Sequence, residues 1–184
     1  YDFKDIKSIN LNNLPQVVTF TKSQLQYLSS SDFIFLEKTD GERRIIKLFM
    51  ESYAYSMKGD IVKLDNISIG KENIFDSELY EDTYYIFDAI KINGIPIYNK
   101  TYIDRINLIK EFFDNYKFEK NIKIKIKDYK DNLSWTDIIN FIYTNRISPD
   151  TGNLIDGVIC VNKNATYYQK EPWQFKIKTQ QLCF

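Results

Sequence analysis

Short β-branched and aromatic runs, separated by turn residues, account for most apolar positions in this chain, and helical spacing appears in few places. Residues 31–38, 43–49, 53–64, 73–80 and 83–92 read as strands on that pattern. Asp40-Gly41 and Asn93-Gly94 are hairpin dipeptides, because both positions tolerate positive φ. Residues 14–30 read as a turn followed by a short helix with Thr21 or Ser23 at its N-cap. The clearest helix covers 101–117, capped by Thr101, with Ile103, Ile106, Ile109, Phe113 and Tyr116 on one face. A second covers 134–145, with Trp135, Ile138, Ile139 and Ile142 inward. Between them residues 121–129 alternate strictly, Ile122, Ile124 and Ile126 against Lys123, Lys125 and Lys127. The last strands fall at 154–162 and 173–179. Hairpins with inserted helices and no βαβ alternation predict an α+β fold built on antiparallel sheets.

Composition narrows the chemistry. A length of 184 residues fits a single domain, and 43% hydrophobic residues exclude a disordered chain. The absence of His removes the commonest general base, the Ser-His-Asp and Cys-His arrangements and most zinc sites. Lys+Arg and Asp+Glu balance at 25 each, so any nucleic-acid contact must come from a local patch. Cys160 and Cys183 have no CxxC spacing, and a reducing, cytoplasmic compartment is the simpler reading. Neither a signal peptide nor an apolar run of about 20 residues occurs, which argues against secretion and a helical membrane span. The richness in Tyr, Phe, Ile, Asn and Lys fits AT-biased coding, as in a large cytoplasmic DNA virus with its factories and virions. The chain opens on Tyr1 rather than Met and reads as a fragment.

One segment carries candidate chemistry. In Glu37-Lys38-Thr39-Asp40-Gly41-Glu42-Arg43 a lysine ends an apolar strand immediately before a tight turn, and Arg43 opens the next strand. Such a turn holds the amine at the mouth of a sheet, although a surface hairpin with a solvated lysine has the same local pattern.

The segment resembles motif I of the covalent nucleotidyltransferases, the superfamily of DNA ligases, RNA ligases and mRNA capping enzymes. Further segments follow in that superfamily's order. Ile74-Phe75-Asp76-Ser77-Glu78-Leu79 resembles motif III, and Tyr85-Ile86-Phe87-Asp88-Ala89 resembles motif IIIa. Asp156-Gly157-Val158-Ile159 resembles motif IV, and Phe175-Lys176-Ile177-Lys178 resembles motif V. Thr39 after the lysine and Asp156-Gly157 in motif IV are similar to capping guanylyltransferases; Ile177 departs from the Trp usual there.

The resemblance implies an antiparallel α+β nucleotidyltransferase domain (ATP-grasp-like, DNA ligase-like), with the superfamily's OB-fold domain absent from this chain. It implies that Lys38 attacks the α-phosphate of GTP, and that GMP passes from its amine to 5′-diphosphate RNA. It assigns Glu37, Thr39, Arg43, Glu78, Phe87, Lys176 and Lys178 to the nucleotide. Phe87 would stack on the base, and Arg43 and Glu78 would bind the ribose. Asp156, with Glu78, would hold Mg²⁺ or Mn²⁺. An ordinary lysine has a pKa of about 10.4, so a cation and the motif V lysines near the phosphate are suited to depress it. A separate OB-fold domain, and triphosphatase and methyltransferase domains or subunits, are the implied partners. An ATP-dependent ligase using the same lysine is the alternative enzyme, and an inactive binding or scaffold module the alternative outside enzymes. Bland explanations stand beside these roles: Phe75, Phe87 and Ile159 as core, Lys176 and Lys178 as a solvated strand face. The lysines at 123, 125 and 127 read as an edge strand protected from pairing, with contact to RNA phosphates as the alternative.

Overall fold

Strand pairing in the computed structural model, which describes residues 14–20, 28–144, 147–148, 150–153, 155 and 157–178, gathers the strands into two sheets. The strands are β1 (Val18–Thr19), β2 (Phe33–Glu37), β3 (Glu42–Leu48), β4 (Tyr53–Ser56), β5 (Ile61–Lys63) and β6 (Asn73–Tyr80). They continue with β7 (Thr83–Ile92), β8 (Ile95–Pro96), β9 (Ile124–Ile126), β10 (Tyr129–Lys130), β11 (Gly157–Asn162) and β12 (Gln174–Lys178). The smaller sheet runs β1-β12-β11-β2-β10; the larger runs β5-β4-β3-β6-β7-β8, with β9 also alongside β7. Pairing is antiparallel except for β1 with β12 and β9 with β7. The helices α1 (Tyr102–Asn115) and α2 (Trp135–Thr144) complete the expected α+β fold.

The period of two in β2 explains how the layers stack. Ile34 and Leu36 join the main core shared with the larger sheet, whose members include Ile45, Phe75 and Ile86. Phe33 and Phe35 point the other way, into a second cluster with Ile138 and Ile142 of α2 and with Val158, Cys160 and Ile177. A strand covered on both faces reads as a continuous apolar run, and all five β2 residues are buried. Residues on β11 and β12 sort by the same parity. Val158 and Ile177 face α2, which is why a bulky apolar residue suits position 177. Ile159 and Lys176 face the gap between the sheets.

Several expectations need correction. Asp40-Gly41 is not a hairpin turn. β2 lies in the smaller sheet and β3 in the larger, so this dipeptide carries the chain across from one to the other. The positive-φ glycines are Gly59, Gly94 and Gly152, and Asn93-Gly94 does close β7 onto β8 in that conformation (φ 51° and 78°). Gly41 is needed instead for close approach: a Cβ there would lie 2.6 Å from the Leu79 carbonyl oxygen and 2.7 Å from Glu78 Cγ. Residues 53–64 form two strands, because the chain reverses at Gly59 (φ 95°). The alternating stretch 121–129 is split between sheets, β9 pairing with β7 and β10 with β2. The 14–30 segment contributes β1, while 21–27, including Thr21 and Ser23, lie outside the described residues.

The α1 cap forms as the spacing predicts, with Thr101 Oγ1 accepting from the Asp104 N–H at 3.4 Å. Its buried face carries Tyr102, Arg105, Ile106, Ile109 and Phe112, with Ile103 and Phe113 only partly covered. A fully buried Arg105 is the feature that periodicity alone misses.

Candidate active site

Lys38 stands where β2 leaves the smaller sheet, and its backbone N–H donates to the Gly157 carbonyl at 3.1 Å. Gly157 itself packs tightly against β12: a Cβ at this position would come within 2.2 Å of the Ile177 carbonyl oxygen. The side chain turns into a cleft of about 340 Å³ between the sheets, lined among others by Leu36, Thr39, Gly41, Arg43, Ser77, Glu78, Phe87, Lys127, Ile159, Gln174 and Lys176. That volume lies in the range of small-ligand sites. Lys38, Thr39, Arg43, Glu78, Phe87 and Lys176 are thus brought together from four strands and one crossover. A larger cleft of about 1040 Å³ borders it through Pro15 and Gln16, but Lys38 does not reach into that space.

Ion pairs organise the cleft. Lys38 Nζ donates to Asp40 Oδ1 at 2.7 Å, and the bond holds the Asp40 carboxyl below its ordinary range. Asp40 is 78% exposed, so this pair contributes only about 0–1 kcal/mol and exchanges readily. Arg43 is held more firmly. Nε donates to Asp76 Oδ1 at 3.0 Å, Nη2 to Asp76 Oδ2, and Nη1 to the Pro15 carbonyl at 2.6 Å. Burial works to lower the Arg43 pKa, but Asp76 outweighs it and raises it, so the guanidinium stays charged. Tyr167 donates to the same Asp76 carboxylate at 2.8 Å. Glu78 accepts from the Gly41 N–H through Oε1 and from Lys127 Nζ through Oε2, both at 2.7 Å.

Other expected residues are placed differently. The Glu37 side chain follows Phe33 and Phe35 to the α2 side and does not line the cleft. Lys178 is close enough to help depress Asp40, yet it too is outside the lining. Asp156 lies outside the described residues. No group of three or more Asp, Glu, Cys or His side chains that could hold a metal occurs among the described residues. Glu78 lines the cleft but is already paired with Lys127, so the donors described do not by themselves fit Mg²⁺ or Mn²⁺. Lys127 is the residue that the sequence reading assigned elsewhere. Lys125 on β9 and Lys123 just before it are exposed, as an edge strand requires, whereas Lys127 is buried and enters the cleft. Nothing in the alternation separates Lys127 from the other two lysines.

Behind the cleft Glu37 is 5% exposed, and its Oε1 accepts from Ser148 Oγ. Oε2 has no hydrogen-bond partner among the described residues. Burial raises the Glu37 pKa above the ordinary 4.5, the Ser148 bond offsets part of the rise, and Asp150 adds to it. Asp150 is raised as well, first by burial. A carboxyl whose folded pKa exceeds its unfolded one opposes folding when ionised. Stability therefore falls as pH rises through the raised value and recovers on acidification towards the ordinary one. Glu37→Gln keeps an acceptor for Ser148 and removes the charge. It is expected to raise Tm near neutral pH, with the gain shrinking as pH falls to about 4.5. Thermal melts of both proteins over that range measure it; a gain that grows on acidification would contradict the assignment.

No family model matches this chain, and no curated protein matches it. Solved structures do. A mycobacterial DNA ligase D complexed with ATP and MES aligns with a TM-score of 0.63 at 13% identity, over 97% of this chain and 62% of that one. The ligase domain of M. tuberculosis LigD gives 0.63 at 14% identity, over 97% and 61%. A Lig E DNA ligase gives 0.64 at 12% identity, over 90% and 68%. This chain spans about three fifths of the length of the two ligase D structures. At these identities the likeness is one of fold, and the chain has the α+β fold of the nucleotidyltransferase domain of DNA ligases.

Proposed function

We propose that this chain is a covalent nucleotidyltransferase domain in which Lys38 takes up a nucleoside monophosphate. One observation carries the proposal: Lys38, Arg43, Glu78, Phe87 and Lys176, drawn from four motif-like segments, line one cleft in a ligase-type fold. The neutral Lys38 amine attacks the α-phosphorus, a P–N bond forms, the P–O bond to pyrophosphate breaks, and the amine loses a proton to solvent. Release from Asp40 precedes attack, at little cost where the carboxylate is 78% exposed. Lys176 opposes the charge that builds on the phosphate oxygens, and Phe87 and Ile159 offer apolar faces for the base.

Two acceptors fit this chemistry. The likeness to DNA ligases favours ATP as donor and a 5′-phosphate polynucleotide end as acceptor. Thr39 and the Asp156-Gly157 pair favour GTP and 5′-diphosphate RNA, the capping reading. Incubation with α-labelled ATP and, separately, GTP, followed by denaturing electrophoresis, decides between them. An ATP-derived adduct supports ligation, a GTP-derived adduct supports capping, and no adduct from either defeats the proposal. Any Mg²⁺ or Mn²⁺ requirement is read in the same assay by titrating the metal.

Phe87 is half-buried and lines the cleft. Phe87→Leu keeps most of the apolar volume and is expected to weaken nucleotide binding by about 0.5–1.5 kcal/mol, with a smaller effect on folding. Calorimetric affinity and thermal melts on the same preparation separate the two. Unchanged affinity with a collapsed Tm would make Phe87 a core residue.

A further inference from the structure

We propose that Lys127 is a positioning residue for ribose recognition, acting through the Glu78 carboxylate; this rests on the nucleotidyl-transfer reading. The geometry is that of a carboxylate clamped from two sides. Gly41 N–H holds Oε1 and Lys127 Nζ holds Oε2, each at 2.7 Å. The crossover packs so closely on Glu78 that even a Cβ at Gly41 would meet Glu78 Cγ at 2.7 Å. Lys127 is anchored in turn, its backbone N–H donating to the Ile86 carbonyl at 2.8 Å in continuation of the β9–β7 pairing.

A buried lysine is an expensive way to support a strand end. Its side chain is 4% exposed, and desolvating an ammonium costs far more than burying a methionine of similar length. The pair also opens onto the cleft, which Glu78, Lys127 and Phe87 all line. Each carboxylate oxygen has two lone-pair directions. With one direction on each oxygen already taken, the remaining ones are fixed in space, and a carboxylate so fixed suits a hydroxyl at a set position. Sites built to hydrogen-bond a hydroxyl reject analogues that lack it, because the buried acceptor is then left unpaired. Free to rotate, Glu78 would lose that selectivity while Phe87 still stacked the base.

The test compares binding of the nucleotide that labels Lys38 with its 2′-deoxy and 3′-deoxy forms, by calorimetry on the intact chain. Wild type is expected to prefer the ribonucleotide over at least one deoxy form by about tenfold or more, the scale of a hydrogen bond to a charged group. Lys127→Met should bring that ratio close to one by weakening the ribonucleotide alone, and Lys127→Arg should keep most of it. In a Glu78→Gln background the ratio should be small already, and adding Lys127→Met should not change it. That comparison stands even where Lys127→Met alone folds poorly, because removing both partners of a buried pair costs less than removing one. Equal loss of affinity for ribo and deoxy forms, an unchanged ratio in Lys127→Met, or no ribose preference in wild type overturns the inference. Failure of wild type to bind or be labelled by any nucleotide instead overturns the proposed function, so the two failures are distinct.

Discussion

Lys38→Ala is expected to abolish the covalent nucleotide adduct while leaving the protein folded. The loss should be complete, because no other amine in the cleft is placed to replace it: Lys127 is committed to Glu78, and Lys176 belongs to the β12 strand on the far side of Ile159. Lys38→Arg should be equally inactive, since a guanidinium remains protonated and cannot attack phosphorus. Loss of the Asp40 pair should by itself cost the folded state little in either variant. The Asp40 partner is exposed, and a surface pair contributes about 0–1 kcal/mol. Acid lability and alkali stability of the wild-type adduct would identify a phosphoramidate rather than a phosphoester. Undiminished labelling of Lys38→Ala, with its Tm unchanged, would move the nucleophile to another residue.

The second large effect concerns folding. Arg105 has no exposed surface, and it binds Asp88 through Nε at 2.8 Å and Nη2 at 3.1 Å. Its Nη1 donates to the Lys100 and Ala165 carbonyls at 2.6 and 2.9 Å. The guanidinium also lies 5.3–5.7 Å from the ring centroids of Tyr102, Tyr167 and Trp173. Arg105→Met removes one partner of a buried pair and leaves the Asp88 carboxyl buried with no counter-ion. The expected cost is roughly 3–5 kcal/mol, or roughly 6–20 °C in Tm for a chain of this size. Arg105→Met combined with Asp88→Leu should recover much of that loss. The surroundings tie this core to the cleft: Tyr102 donates to the Phe87 carbonyl at 2.8 Å, and Tyr167 donates to the Asp76 that holds Arg43. Surviving folded Arg105→Met should therefore bind nucleotide less well, although Arg105 never touches the cleft. Chemical denaturation of the single and double variants measures the pair, and a double variant no more stable than the single would refute the buried-charge account.

Local pattern made much of this protein legible. β6 and β7 fall at 73–80 and 83–92, as alternation and turn residues predict, because both are long strands whose neighbours are close in sequence. Thr101 caps α1 because a cap is a contact across three residues. The motif segments that line the cleft could be named one by one for the same reason: each is a short stretch whose chemistry is written in consecutive side chains.

Tertiary structure decided what adjacency cannot carry. Asp40-Gly41 reads as a hairpin from its dipeptide and is a crossover, because the partners of β2 are β10 and β11, far along the chain. Glu37 and Lys38 are neighbours in sequence, yet period-two geometry sends one carboxylate behind the sheet and one amine into the cleft. Lys127 is indistinguishable in pattern from Lys123 and Lys125, but a residue 49 positions earlier, Glu78, captures it. Arg105 occupies a helix face read as apolar because Asp88, three aromatic rings and two carbonyls converge there to satisfy it. Periodicity reports which side of an element is inward; only the packed structure determines which charge finds its partner there, since a buried ion is tolerated solely where distant residues supply that partner.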